Sequence, residues 1–449
     1  MNRLYFLKHK YAPHLANAGL FVLTLILHFN ISFSENDWNR LTDPTDYLHQ
    51  SKISLLDKEF YLPQKADNFD PRPFTVPLFY KMCHSDTNAI VRMQMFMVSF
   101  SAFFLVMAFI TLMDKNSAKY LLMLGVYLLV SWWNVLGWST LVLSESLSAS
   151  LLFCWLASLL FLYKKKTFNW VLLHAAITVL FAFTRDSWPY VLITFYGGMC
   201  LLLLVLKQRD VKNYAAMLVL SLGIFFFQQH AAHIGQRHKL PVINSIVVRI
   251  LHNQDYTAWF VKNGMPCAEK LQQNFASLDV VPEEGQHKLW ALYGDTAYQP
   301  FLTWVEEKGQ STYTRFLITH PSFTLGSEET PLQLHRIMCY NLFYIDVPRG
   351  YSAYVQNLFP LFGAGVVVVL CIMLVMIYTQ RRRPVLFGPV LLVLFTLMNV
   401  ILSYNADALE VERHLFITNI LVQLTGFWAV ALIWDAMKWR IKLHSPDKA

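Results

Sequence analysis

The sequence predicts an all-α polytopic membrane protein of about ten transmembrane helices, with amphipathic helices and a mainly helical loop subdomain on its outer face. Three observations predict it. Of 449 residues, 55% are hydrophobic and only 15% charged, whereas a soluble domain carries about 25% charged residues. The apolar residues run in long uncharged blocks, such as residues 362–378 (FGAGVVVVLCIMLVMIY) and 120–130 (YLLMLGVYLLV). The basic residues gather in short loops that fall on one side if every block spans. A lipid core admits only helices of about 20 residues or a closed barrel. No alternating pattern of the kind a barrel strand needs occurs.

The expected spans are 15–33, 89–113, 120–143, 147–163, 168–184, 188–206, 214–230, 354–378, 385–404 and 414–434. The first follows Arg3, Lys8 and Lys10 without a small-residue cleavage site, so it reads as a retained helix. If every run spans, Lys8, Lys10, Lys115, Lys119, Lys164, Lys165, Lys166, Lys207, Arg209, Lys212, Arg381, Arg382, Arg383, Lys438, Arg440 and Lys442 share one side. Basic loops stay in the cytoplasm, which puts both termini there. Two long segments then face outward. Residues 34–88 form a first outer loop attached to an N-terminal transmembrane core, 1–230. Residues 231–353 form a large extracytoplasmic subdomain, and 354–449 complete the membrane helices and a short tail. Residues 43–58 (DPTDYLHQSKISLLDK) read as an interfacial amphipathic helix.

The formal charge of +8 is spread over topological loops rather than one face, so membrane lipids are the expected partner and nucleic acid is excluded. The six cysteines show no zinc-binding spacing. Cys267 and Cys339 would pair only in an oxidising compartment. His230, His233 and His238 lack a matching acidic ligand and read as an interfacial helix end.

Chemistry concentrates on the outer side. Asp43, Asp46 and Tyr47 follow span 1, and Arg72 sits in a proline-rich turn. Arg92 opens span 2, Glu145 opens span 4, and Arg185 and Asp186 cap the hairpin between spans 5 and 6. Glu410, Glu412 and Arg413 precede span 10. Ionisable groups at a membrane boundary are costly and mark function by default. Guanidinium groups bind phosphate and keep their charge when partly desolvated, and a carboxylate serves as general base to a hydroxyl. Each residue also has a plain structural reading. Asp43 suits a helix cap ahead of Pro44, Arg92 suits a snorkelling span end, Glu145 caps with Ser144, and Arg185 with Asp186 suits a local ion pair.

The motif Asp43-Pro44-Thr45-Asp46-Tyr47 resembles the Asp-x-x-x-Tyr pattern after the first span of the glycosyltransferase C superfamily. The nearest groups are the protein O-mannosyltransferases and aminoarabinose lipid A transferases. Arg72-Pro73 to Pro77, Arg92, the Ser144-Glu145 opening of span 4, Thr184-Arg185 and Glu412-Arg413 follow in the same order. Pro44 departs from the acidic or small residue usual there, and the large loop lies between spans 7 and 8. The resemblance implies an inverting transferase that moves a sugar from a polyprenyl-phosphate donor to a glycan, lipid or protein acceptor. Asp43 would be the general base, with Asp46 and Glu145 as further catalytic carboxylates. Arg413, Arg92 and Arg185 would bind the donor phosphate, and Tyr47, Arg72 and Glu412 the donor or acceptor. Some members use a divalent cation, for which Asp43 and Glu145 are the available pair. The expected setting is a bacterial inner membrane with the site on its outer face, the endoplasmic reticulum being the other compartment with such donors. A lipid-linked polysaccharide polymerase or ligase would share the face and the arginines. A secondary transporter would need polar groups at mid-span, where these spans read as apolar.

Overall fold

The computed structural model describes residues 2–31, 43–66, 69–205, 207, 211–275, 292–293, 295–326, 387–406 and 415–443. The run expected at 354–378 lies outside them. Apart from one isolated bridge between Ala66 and Phe69, the regular structure among the described residues is helical. Among the described residues seven helices are long and apolar enough to cross a membrane: Tyr11–Phe29, Thr87–Leu112, Ser144–Lys165, Trp188–Val205, Val211–Ile234, Gly388–Asn405 and Phe416–Asp435. The chain is an integral membrane protein.

In chain order the first part comprises α1 (Asn2–Phe29), α2 (Asp43–Lys52), α3 (Thr75–Met82), α4 (Thr87–Leu112), α5 (Asn116–Ser131), α6 (Trp133–Leu136), α7 (Ser144–Lys165), α8 (Phe168–Ala182), α9 (Trp188–Val205) and α10 (Val211–Ile234). A lobe follows, built from α11 (Leu240–Ser245), α12 (Gln254–Lys262), α13 (Ala268–Phe275), α14 (Gln299–Trp304), α15 (Gln310–Thr319) and α16 (Pro321–Thr324). The bundle closes with α17 (Phe387–Ala406) and α18 (Phe416–Leu443).

The axis is α7, buried from Ser144 to Leu162. It packs against α4 and α8, while α1 lies on α4 and α18 on α5. Apolar side chains all round an α-helix are what a central position in a membrane bundle requires. By contrast α1 leaves Leu15, Val22, Ile26 and Leu27 exposed on its outer side, the surface that lipid would cover.

Two expected spans come out differently. The run 120–143 is one continuous helix only to Ser131, with the single turn α6 after it. Trp132 turns extended, and a 3₁₀ turn at Gly137–Thr140 carries the chain to α7. Non-helical backbone at membrane depth survives only when it is buried in protein with its polar groups met. That condition holds, since Gln94 Nε2 donates to Leu141 O at 2.8 Å and the Tyr80 hydroxyl to Leu143 O at 3.1 Å. The run 168–184 stops at Ala182 after 15 residues, about 22 Å of helix against an apolar thickness of about 30 Å. Its end turns early to deliver Thr184 and Arg185.

The spans are also not apolar at mid-depth. A polar ring closes inside α7, α8 and α9. Trp155 Nε1 donates to the Tyr196 hydroxyl at 2.9 Å, which meets His174 Nε2 at 2.7 Å. His174 Nδ1 meets Ser158 Oγ at 2.7 Å, and Ser158 donates to Trp155 O at 2.8 Å. The Tyr196 hydroxyl also meets Thr178 Oγ1 at 3.3 Å, and the indole N–H can only donate. Both His174 ring nitrogens are engaged, and the ring satisfies itself. Asn17 with Tyr127 at 2.7 Å and His28 with Ser99 at 2.9 Å make similar buried pairs. Serine, histidine and tyrosine sit unnoticed in an apolar run because one helical turn hides each among leucines.

Cross-contacts fix which helix ends lie together. Arg92 reaches Phe29 O, Thr75 N donates to Phe183 O, and Gln228 Nε2 donates to Arg185 O. The opposite end joins Lys115 to Asp435 through a 2.9 Å bond from the Lys115 N–H. The lobe has its own core around Ile243, Val247, Phe260, Phe301 and Phe316 and sits at the Arg92 end. There Tyr313 donates to Asn405 O at 2.8 Å, and Arg249 lies between the rings of Phe323 and Tyr404 at 4.1 and 4.0 Å. Topology reporters fused after Lys166 and after Gln310 are therefore expected to read opposite sides of the membrane; the same side for both would refute the alternation.

Candidate functional site

The site is built from the first loop upward. Within it, α2 places Asp46, Tyr47 and Gln50 on one buried side one turn apart, as the helical i, i+4 spacing demands. Asp46 Oδ2 accepts from Arg72 Nη2 at 2.9 Å, and its Oδ1 accepts from the Asp70 N–H at 3.1 Å. Gln50 locks the same strap. Its Oε1 accepts from the Arg72 N–H at 2.9 Å, while its Nε2 donates to Phe60 O and Arg72 O, both at 3.0 Å. The Arg72 guanidinium lies 5.5 Å from the Tyr47 ring, which meets Tyr80 edge-on at 5.9 Å. A cation over a ring face in a partly desolvated setting contributes about 0.5–2 kcal/mol.

Below this strap, α3 touches both neighbours. Phe74 stacks on Phe183 at 4.4 Å, and Tyr80 holds the Leu143 carbonyl just before α7. The first turn of α7 carries Glu145, which is 0% exposed and accepts from Arg185 Nη2 at 2.9 Å. Beside that pair Ser148 and Thr184 meet at 2.6 Å, and Trp188 Nε1 donates to Ser148 Oγ at 3.2 Å. The expected local pair of Arg185 with Asp186 does not form. Neighbouring residues at a hairpin tip point apart, so Arg185 turns inward to Glu145 while Asp186 turns to the end of α10.

There a third pair forms. Arg237 donates from Nε to Asp186 Oδ2 at 3.1 Å and from Nη2 to Oδ1 at 3.0 Å. Gln228 Nε2 adds a 2.9 Å bond to the same Oδ1. The turn bearing Arg237 lies against the Arg72 strap, because a Cβ placed on Gly235 would stand 3.1 Å from Pro71. Glycine is what allows that approach. The three guanidinium–carboxylate pairs thus occupy one end of the bundle around α3.

The site residues named from sequence fall into three groups. Asp46, Tyr47, Arg72, Glu145 and Arg185 come together as described. Arg92 stands apart on the exposed side of α4, its guanidinium 5.9 Å from the Phe29 ring, the geometry of a snorkelling span end. Asp43 opens α2, but its side chain lies outside the described residues, as do Glu410, Glu412, Arg413 and Cys339. Gln50, Gln94, Gln228 and Arg237 belong to no motif. Arg237 is one of several basic residues in the segment 231–353, and nothing in the sequence sets it apart.

Among the described residues no group of three or more His, Cys, Asp or Glu is arranged to hold a metal ion. Glu145 has its carboxylate engaged by Arg185 and by Ser144 Oγ at 3.4 Å. His233 and His238 face each other with ring centroids 4.6 Å apart, beside the 3.0 Å Lys239–Glu306 pair that ties α10's end to the lobe. The lysine holds the Glu306 carboxyl below its ordinary range.

Comparison with protein-family models, with curated proteins and with solved structures gives no match. The site therefore stands on its own geometry.

Two outcomes follow. Removing one partner of a buried pair leaves a bare charge and costs about 3–5 kcal/mol, whereas an exposed substitution changes stability by about 0.5 kcal/mol or less. Arg185→Ala should lower the thermal midpoint far more than Arg92→Ala in detergent-solubilised protein. The second concerns pH. Burial, reinforced by the charges of His233 and Lys239, holds the His238 imidazole below the ordinary histidine value, against the Ala232 carbonyl and Glu306. The unfolded chain takes up that proton near about pH 6.5, and the folded chain only at lower pH. This contribution is complete above about pH 6.5 and is lost as pH falls below it. Thermal midpoints measured from pH 7.5 to 5 should fall, and His238→Gln should flatten the slope.

Proposed function

We propose that the chain is an integral-membrane glycosyltransferase that moves a sugar from a polyprenyl-phosphate donor to a glycan, lipid or protein acceptor. The observation that carries this reading is the gathering of Asp46–Arg72, Glu145–Arg185 and Asp186–Arg237 at one end of the bundle. Its support from sequence is the resemblance of Asp43 to Tyr47 and the later motifs to the glycosyltransferase C superfamily. The fold reading that accompanies it has about ten spans, with α5 and its buried extension, α8 and residues 354–378 added to the seven long helices. The lobe is then an extracytoplasmic subdomain, since the lysine-rich loops mark the other end as cytoplasmic.

In this mechanism Asp43 takes the proton of the acceptor hydroxyl. The freed oxygen attacks the anomeric carbon from the face opposite the phosphate, the glycosidic C–O bond to phosphate breaks, and configuration inverts. The polyprenyl phosphate leaves with its charge met by guanidinium groups. A guanidinium carries five N–H donors, more than one carboxylate takes up, so Arg72 and Arg185 can serve a phosphate while still held. Asp46 and Glu145 accordingly act as positioning carboxylates. Asp46 is 8% exposed and Glu145 is wholly buried, and each is held by a guanidinium, which suits positioning better than proton transfer. Arg413 and Glu412 complete the donor end in this reading, and a divalent cation would draw on Asp43.

The mid-depth ring of Trp155, Tyr196, His174 and Ser158 is the one observation that favours a transporter. Its hydrogen bonds close on themselves within three helices, which suits a structural clasp better than a substrate path. A polysaccharide polymerase or ligase differs in needing no first-loop base.

With a radiolabelled polyprenyl-phosphate sugar, Asp43→Asn should reduce transfer by about 10²–10⁴-fold, and Asp46→Asn should chiefly raise the donor KM. Full transfer by Asp43→Asn with none by Asp46→Asn would reverse the base assignment. Activity retained in both would end the mechanism.

A further inference from the structure

At the Arg92 end of the bundle, apolar side chains stand in the open on segments that do not cross the membrane. Leu56 is 98% exposed, Met82 73% and Leu325 63%, and Leu55 and Ile318 beside them are exposed too. Single surface leucines are ordinary. What sets these apart is the level at which they are held.

Each is tied to the end of a membrane-crossing helix. Leu325 lies between two contacts with the last turn of α17. Asn405 Nδ2 donates to Thr324 O at 2.9 Å, and a Cβ placed on Gly326 would stand 3.2 Å from the Tyr404 ring. Adjacent Cα atoms are about 3.8 Å apart, so Leu325 stays close to the level at which α17 leaves the apolar layer. Ile318 belongs to the same foot of the lobe, since the Thr324 hydroxyl donates to Leu317 O at 2.6 Å. Met82 ends α3, and the turn after it leads directly into α4, which Asp86 caps by accepting from the Ala89 N–H at 2.7 Å. The turn at Leu55 and Leu56 is fastened to that junction. Ser51 Oγ meets Ser85 Oγ at 2.7 Å, and Lys81 Nζ donates to Ser51 O at 3.1 Å and to Ile53 O at 2.8 Å.

A headgroup layer extends about 6 Å beyond each side of the apolar core, and side chains fastened at the ends of α4 and α17 fall within it. On α4 the exposed apolar surface already begins at Met93 and Phe96. Exposed Lys52 and Lys58 flank Leu55 and Leu56, the pairing of cations with apolar groups that suits an interface. A bilayer covers every side chain at one level, wherever it stands around the bundle, whereas a partner protein covers a single patch. We propose that Leu55, Leu56, Met82, Ile318 and Leu325 form a membrane-contact surface that seats the first-loop turn and the foot of the lobe in the headgroup layer of one leaflet. α2 itself turns Asp46, Tyr47 and Gln50 into the bundle, so contact with lipid passes to the turn that follows it. The surface is independent of the transferase reading.

The test places a nitroxide, carried on a ketone-bearing unnatural residue, at position 325 or 56 of the full chain in lipid nanodiscs. Both side chains are exposed, so the probes disturb no core packing. Collision with oxygen, which concentrates in lipid, is compared with collision with a water-soluble nickel chelate. Exposed Phe100 on α4 and exposed Glu59 in the first loop serve as lipid and water references. The oxygen-to-nickel ratio at 325 and at 56 should exceed that at 59 by about threefold or more, as suits groups about 5–10 Å into the boundary. A ratio at either site equal to that at 59 puts it in water and overturns the proposal. Loss of both collisions, with dipolar broadening that disappears on dilution with unlabelled protein, means that a second copy covers the site and overturns it as well.

Discussion

A carboxylate with no exposure at the first turn of a central helix must have a partner, and Glu145 has Arg185 at 2.9 Å. Much of the site depends on that requirement. The guanidinium comes from the tip of the α8–α9 hairpin, so α8 has to end at Ala182 for Arg185 to reach α7. With Arg185 turned inward, Asp186 faces the other way, toward Gln228 and Arg237 at the end of α10. One buried charge thereby sets the position of two hairpins and leaves a second carboxylate presented to solvent. In low dielectric such a pair is weak evidence for stability, because desolvation offsets most of the attraction. Its effect is on geometry, since the alternative of an unpaired buried charge is far costlier.

The same logic of satisfaction governs the segment between Trp132 and Leu143. Breaking a helix near a membrane frees carbonyls that lipid cannot meet. Gln94 and Tyr80 meet two of them, and in doing so Tyr80 anchors α3 across the bundle end. Because α3 also holds Phe183 through the Thr75 N–H and Phe74, the strap carrying Arg72 has a fixed seat. The strap is held from its other side by Gln50 and Asp46. The segments bearing Asp46, Arg72 and Glu145 are thus each tied down by a backbone-directed hydrogen bond.

The gathering of charges was legible without coordinates. Counting apolar runs and basic loops puts Asp46, Arg72, Glu145 and Arg185 at one end, and the contacts agree. The pairing was not legible. Arg185 and Asp186 are adjacent in sequence and of opposite sign, yet each bonds a residue about 40 or more positions away, because a hairpin tip splays neighbouring side chains. Arg237 and Gln228 were invisible for another reason, as they belong to a long apolar helix and a histidine-rich turn with no motif. The polar ring of His174 and Tyr196 was hidden likewise. Window-averaged hydropathy discards the very residues whose burial matters most.

What the sequence determined by itself is the membrane character, the helical class and the gathering of Asp46, Arg72, Glu145 and Arg185 at one end of the bundle. These follow from quantities that add along the chain, namely apolar length and basic-loop parity, and a bilayer reads them directly. The tertiary structure alone decided where helices stop short, as at Ser131 and Ala182, and which carboxylate is buried and which is presented. Those outcomes depend on partners brought together from distant segments. Satisfying a desolvated polar group is a condition on three-dimensional neighbours, and no local pattern encodes it.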